Sequence, residues 1–145
     1  MMAYSGKFNP KNPNKYLGDP ANIWYRSLWE RRVMTHLDTN ENVVGWSSEE
    51  IIIPYISPVD SRWHRYFPDF LVKSRNKQGL IETVVIEVKP SSQATEPKKQ
   101  KRITERYITE VMTYGINQAK WKAAEEYCKD RNWKFVVITE KELGI

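Results

Sequence analysis

The stretch Thr83-Val84-Val85-Ile86-Glu87-Val88-Lys89-Pro90 constrains this chain more than any other. A continuous β-branched run predicts a strand covered on both faces, hence central in its sheet, and Pro90 ends it. Alternate strand residues share a face, so Glu87 and Lys89 emerge on the same side. An earlier apolar stretch, Phe67-Pro68-Asp69-Phe70-Leu71-Val72, carries Asp69 in the same manner. Ionisable groups inside apolar strands are costly to bury unless something pairs them, and a divalent cation is one such partner. Two readings are open. In one, Glu87 and Lys89 are a solvated ion pair guarding a sheet edge. In the other, Asp69 and Glu87 are paired by a divalent cation, with Lys89 beside them. The second accounts better for acids set among Phe, Val and Ile.

With 145 residues, 40% hydrophobic and 28% charged, the composition is that of one globular domain large enough for a real core. The net charge of +5 favours a polyanionic partner. No apolar run approaches the roughly 18 residues of a membrane helix, and Ile51-Ile52-Ile53 stops at Pro54, so no membrane partner is expected. The N-terminal residues lack the apolar stretch of a secretory signal. The single Cys128 falls in a helical pattern and reads as a small buried hydrophobe, which suits a reducing compartment. His36 and His64 have no cysteine partner and read as hydrogen-bonded or exposed side chains rather than zinc ligands. Six tryptophans and eight tyrosines are many for this length. Most belong in the core, with a few left for stacking on bases or for a protein interface.

Residues 1–21, with Pro10, Pro13 and Pro20, predict an extended basic arm, ordered only where it docks. It is either a loose tail or a basic arm that anchors the protein to a partner or follows a phosphate backbone, with Lys7, Lys11 and Lys15 as the DNA contacts. A single domain is expected over residues 22–145. Asn22 is expected to cap a helix to about Asp38, with Ile23, Ser27, Glu30, Met34 and Leu37 on one face. Glu30 mid-stripe is either solvated at the stripe's edge or turned inward towards a cation. Strands are expected over Glu49–Tyr55 and Trp63–Lys73, the latter with Pro68 marking an edge position or a bulge. A hairpin turn at residues 76–79 leads to the strand Leu80–Lys89. The polar loop Ser91–Arg102 carries Lys98, Lys99, Lys101 and Arg102, either a solvated cluster or a grip on phosphates. Helix is expected over Ile103–Thr113, hesitating at Gly115 and resuming over Asn117–Lys129, before a last strand over Trp133–Thr139. The order α-β-β-β-α-β, with a helix crossing between the last two strands, makes those two parallel and the sheet mixed.

Several strings are familiar. Asp69 followed by Glu87-Val88-Lys89 resembles the signature of the PD-(D/E)xK nucleases. The strings Met2-Ala3-Tyr4-Ser5-Gly6-Lys7-Phe8, Tyr25-Arg26-Ser27-Leu28-Trp29-Glu30-Arg31, His64-Arg65-Tyr66-Phe67-Pro68-Asp69-Phe70 and, most specific, residues 46–55 resemble the head completion proteins of T-even-like tailed phages. Trp29-Glu30 with the later acid and lysine is similar to the TnsA-type transposon endonucleases. Trp121 with Ala123-Ala124, then Phe135 to Thr139, match the helix-strand unit that follows the lysine there. The resemblance covers nearly the whole chain. It implies an α/β, restriction-endonuclease-like core: a mixed sheet flanked by helices, with an N-terminal arm. It implies a catalytic set of Glu30, Asp69, Glu87 and Lys89, with Asp69, Glu87, Glu30 and the Val88 carbonyl as metal ligands. Mg²⁺ is the implied cofactor, with Mn²⁺ able to substitute. Double-stranded DNA is the implied substrate, capsid or portal proteins the implied partners, and the infected host's cytoplasm or the virion the implied place. The expectation is a DNA endonuclease acting in head completion, on packaged DNA ends or at the portal. The alternative is a structural protein at the capsid vertex or DNA end whose nuclease site is secondary or silent. RNA cleavage is a third option.

Overall fold

The computed structural model describes residues 4–144; the first three residues of the expected arm, and Ile145, lie outside the described residues. A short strand β1 (Gly6–Lys7) pairs antiparallel with β2 (Trp24–Tyr25), and helix α1 (Leu28–Thr39) follows. Next come β3 (Val43–Ser48), β4 (Ile53–Ile56), β5 (Trp63–Tyr66), β6 (Phe70–Arg75) and β7 (Ile81–Val88). The short helix α2 (Ser91–Ala94), the long α3 (Glu105–Asp130), β8 (Lys134–Ile138) and α4 (Glu140–Leu143) complete the chain. The central sheet has the order β3-β6-β7-β8, antiparallel except for the parallel β7–β8 pair, which α3 connects. The α-β-β-β-α-β layout of the core is met by α1-β3-β6-β7-α3-β8, but its first strand is β3 rather than the expected Glu49–Tyr55, whose residues 53–55 lie in β4 and pair with β5 in a separate ribbon.

The strand β7 lies between β6 and β8 and is covered on both faces, as its apolar run dictates. One face packs Ile86 and Val88 with Val33, Met34 and Leu37 of α1 around the fully buried Trp46. The other side of the fold packs Tyr55 and Tyr66 of the ribbon with Trp121 and Ala124 of α3 and Phe135 and Val137 of β8. Cys128 lies buried on α3, and burial pushes its thiol up to about 11.

Four expected boundaries are corrected. The helix begins at Leu28, not after Asn22: Ser27 is the cap, its side chain accepting from the Glu30 N–H at 3.2 Å. Residues 22–25 are instead drawn out by the arm, the Phe8 N–H donating to the Ile23 carbonyl at 2.8 Å. Of the expected strand over Glu49–Tyr55 only Ile53–Tyr55 is strand, in β4, because Glu49 takes a left-handed φ of 54° that no regular strand accommodates. The expected strand over Trp63–Lys73 breaks at Phe67-Pro68-Asp69, where Pro68 is buried; β6 itself is an internal strand, not an edge. Finally, α3 runs through Gly115 without interruption, since Asn117, Trp121, Ala124 and Cys128 bury one face and outweigh the ~1 kcal/mol cost of a helical glycine.

The arm docks on the domain's own core. Phe8 and Tyr16 are buried against Trp46, with ring centroids 5.9 and 4.8 Å away. Gly45 makes this approach possible, since a Cβ there would lie 2.9 Å from Leu17 Cδ2. The buried Asp38 carboxylate accepts the Lys11 and Asn12 N–H groups at 2.8 and 3.0 Å. The Lys15 ammonium donates to the Asp38 and Asn40 carbonyls at 2.9 and 2.7 Å, closing the C-terminal end of α1. Asp38→Ala removes the acceptor for two amides at once and should destabilise the fold by about 2 kcal/mol. A fall in melting temperature of roughly 5 °C would report it; an unchanged temperature would mean that the arm contributes nothing to stability.

Candidate active site

The site forms where β6 and β7 meet at one end of the sheet. The register pairs Phe70 with Ile86, which places Asp69, one residue before β6, opposite Glu87. Because β7 outruns β6 there, the Val88 N–H has no strand partner on that side and donates to Asp69 Oδ2 at 2.7 Å. Lys89 follows on the Glu87 face, its ammonium 3.9 Å from Glu87 Oε2. From α1, Glu30 accepts from the Ser27 hydroxyl at 3.2 Å and from the Arg26 N–H at 3.4 Å. Glu30, Asp69 and Glu87 are all buried, whereas Lys89 is partly exposed. Arg26, Glu30, Asp69, Val88, Lys89, Pro90 and Gln93 line a cleft of about 390 Å³, whereas Glu87 is buried and is not among its lining residues.

Burial, then the Glu87 charge, holds the Asp69 carboxyl well above the ordinary carboxylate range; Glu30 adds to this, and the Val88 N–H opposes it. Glu87 Oε1 is buried without a hydrogen-bond partner among the described residues. Two crowded carboxylates, one with an orphan oxygen, are the surroundings that a hard oxygen-seeking cation relieves. The donors therefore fit Mg²⁺, which commonly takes only one or two protein carboxylates. Among the described residues no group of three or more His, Cys, Asp or Glu forms a ready cage. Glu30 shares the cleft and the field of the other acids, with its oxygens held by Ser27 and Arg26.

Three neighbours escaped the sequence reading. Arg26 reaches 3.8 Å from Asp69 Oδ1 and 4.0 Å from Glu30 Oε1, and its guanidinium pairs with Glu49. Glu49 arrives through its left-handed turn, its N–H donating to the Asp69 carbonyl at 3.1 Å. Burial raises its carboxyl, Arg26 opposes this, and Glu30 and Glu87 reinforce it. Lys120 of α3 sits over the rings of Tyr66 and Tyr55 at 5.6 and 5.9 Å. Burial lowers its ammonium, as does the nearby Lys89, while Glu87 and Asp69 act the other way. The only local signal was Arg26 four residues before Glu30 on a helical spacing; Glu49 and Lys120 reach the site through tertiary contacts.

The expected DNA contacts separate into groups. Lys98, Lys99, Lys101 and Arg102 are exposed between α2 and α3. A groove lined by Gln93, Lys98, Arg106 and Tyr114 adjoins the active cleft through Gln93. Lys7 and Lys11 are exposed and line a different groove with Tyr25 and Arg31. Lys15 is spent on the end of α1, so the structure gives its ammonium a structural partner rather than a free phosphate-binding position. The histidines each have a local partner: His64 on Asp60 at 2.7 Å and His36 on Asn40 at 3.3 Å.

Residues 40–140 match the family model of the TnsA-like endonuclease N-terminal domain, a span that includes Asp69, Glu87 and Lys89. The chain belongs to the TnsA-like endonuclease family. This endonuclease is also similar to the head completion nuclease of Enterobacteria phage T4, with 39% identity over 146 residues. That match spans 98% of this chain and 95% of the T4 protein, so it takes in Glu30 and the docked arm as well. No helix among the described residues is long and apolar enough to cross a membrane.

Proposed function

We propose that this endonuclease cuts DNA in a Mg²⁺-dependent reaction during completion of a phage head, acting in the infected cell on packaged DNA ends or at the portal. The observation that carries this reading is the opposed, buried Asp69–Glu87 pair with Lys89 beside it. Asp69, Glu87 and the Val88 carbonyl would hold the cation, which supplies positive charge to the phosphate as negative charge develops there. Lys89 orients the attacking water and balances charge on the phosphate oxygens. The Val88 N–H fixes Asp69, Ser27 fixes Glu30, and the sheet sets the spacing between Asp69 and Lys89 before substrate arrives. Arg26, half-exposed at the mouth, is placed to meet a backbone phosphate.

Incubating the purified chain with linear and circular DNA, with and without Mg²⁺ or Mn²⁺, tests the reading. Cleavage of the circular form only with metal is the expected result; no cleavage under any condition would defeat it. Binding without metal should depend steeply on salt. If about three of Lys7, Lys11, Lys98, Lys99, Lys101 and Arg102 engage phosphates, log K should fall against log salt with a slope of about −3. A flat dependence would remove these residues from the interface.

A structural role has one observation in its favour. Ile108, Val111 and Met112 form an exposed apolar stripe on the N-terminal turns of α3, where a capsid or portal protein would find a surface to cover.

A further inference from the structure

The β4–β5 ribbon stands apart from the central sheet and has two unlike faces. Its inner face, Ile53, Tyr55 and Tyr66, is packed into the core with Trp121 and Ala124. On its outer face Trp63 pairs directly with Ile56, and Arg65 follows two residues on. Trp63 is 69% exposed and Ile56 50%, an apolar pair left open to water. Arg65 is also exposed, its guanidinium 5.8 Å from the ring centroid of the partly exposed Phe67. The single acid of the ribbon's turn, Asp60, is occupied by His64 at 2.7 Å and by the Arg62 N–H at 3.0 Å. Among the described residues neither Arg62 nor Arg65 forms an ion pair within 4.0 Å. The face therefore presents an exposed indole near the Arg65 guanidinium, while Arg62 lies at the turn, where its charge acts on Asp60.

It is also tied to the chemistry. β5 continues through Phe67 and the buried Pro68 into Asp69, and buried Tyr66 stands close enough to Glu87 and Asp69 to feel both charges. Asp69 lies six positions after Trp63, at most about 20 Å of extended chain or about six base pairs of duplex.

We propose that the outer face of the β4–β5 ribbon is a second DNA-contacting surface of this endonuclease: Trp63 stacks on an unpaired base flanking the cut, and Arg65 takes the adjoining phosphate. An indole face accepts any base, and guanidinium forks suit phosphate oxygens, so the surface selects frayed, single-stranded or branched DNA rather than a sequence. The rigid link through Pro68 then places such a junction at a set distance from Asp69. This inference rests on DNA being the substrate.

The test uses the full chain carrying Asp69→Asn, so that bound DNA persists, and fluorescence anisotropy with blunt duplexes and with duplexes carrying an unpaired end. Adding Trp63→Ala should weaken binding to the unpaired-end DNA about tenfold with the salt slope unchanged, and Trp63→Phe should restore most of it. Adding Arg65→Ala should lower the slope by about one for both DNAs. Trp63→Ala should melt where its parent does, since the side chain is mostly in water. If the parent binds DNA and neither ribbon variant changes its affinity, the ribbon surface is refuted while the nuclease reading stands. If Trp63→Ala binds DNA normally but no longer associates with phage heads, the face belongs to a protein partner and the proposal fails. If the parent binds no DNA of either kind, the DNA-cleaving reading itself falls with it.

Discussion

Asp69→Asn should lower metal-dependent DNA cleavage by about a thousandfold or more, and in the absence of metal it should melt above the wild type. The first effect follows from removing one of the two carboxylates proposed to hold the cation and replacing it with an uncharged amide. The second follows from the strain the wild type carries. Burial and Glu87 hold the Asp69 carboxyl well above its ordinary value of 3.8. Between the ordinary carboxylate range and that raised one, the folded state therefore binds more protons at Asp69 than the unfolded chain does, and stability falls as pH rises through this window. The side-chain amide that Asp69→Asn introduces carries no charge and still accepts from the Val88 N–H. The variant's advantage in melting temperature should be a few degrees above the raised range of the Asp69 carboxyl, should shrink as pH falls through that range, and should vanish near 4, where the unfolded chain takes up the proton as well. Adding Mg²⁺ should reverse the order, because only the wild type gains free energy from binding it. A lower melting temperature for Asp69→Asn without metal would make Asp69 a structural residue.

Lys89→Ala should reduce cleavage by about a hundred- to ten-thousandfold while leaving fold and metal binding close to wild type. Lys89 is partly exposed, and its one ion pair is the 3.9 Å approach to Glu87, so little stability depends on it. Its value lies in charge that develops only as the phosphate reacts, which is why the loss should fall on kcat more than on KM. In a phage that depends on this chain, the variant should assemble heads yet give few infectious particles. Full complementation by Lys89→Ala, together with failure of a variant altered at Ile108, Val111 and Met112, would favour the structural reading instead.

The motif residues were legible because their information is local. Period two alone puts Glu87 and Lys89 on one face of β7, and a hairpin between β6 and β7 fixes which residue of the earlier strand lies opposite Glu87. The parallel β7–β8 pair followed from the helix that joins them. Glu30 was legible as an acid in an apolar stripe, although the helix begins five residues later than Asn22 suggested for its cap. Boundaries failed where distant segments compete for the same backbone. Ile23 looked like helix until Phe8 claimed its carbonyl, and Glu49 looked like strand until the turn carried its N–H to Asp69.

By itself the amino-acid sequence determined the hairpin and crossover helix around the motif, the buried central strand and the acids and lysine that strand geometry aligns, because alternation and helical spacing act between near neighbours. Tertiary structure alone decided that the arm joins the core, that Lys15 closes α1 rather than facing a phosphate, and that Arg26, Glu49 and Lys120 gather around Asp69 and Glu87. Those contacts join residues as far apart as Arg26 and Asp69. No periodicity spans such distances; only packing, with the desolvation of charge that comes with it, brings these groups together.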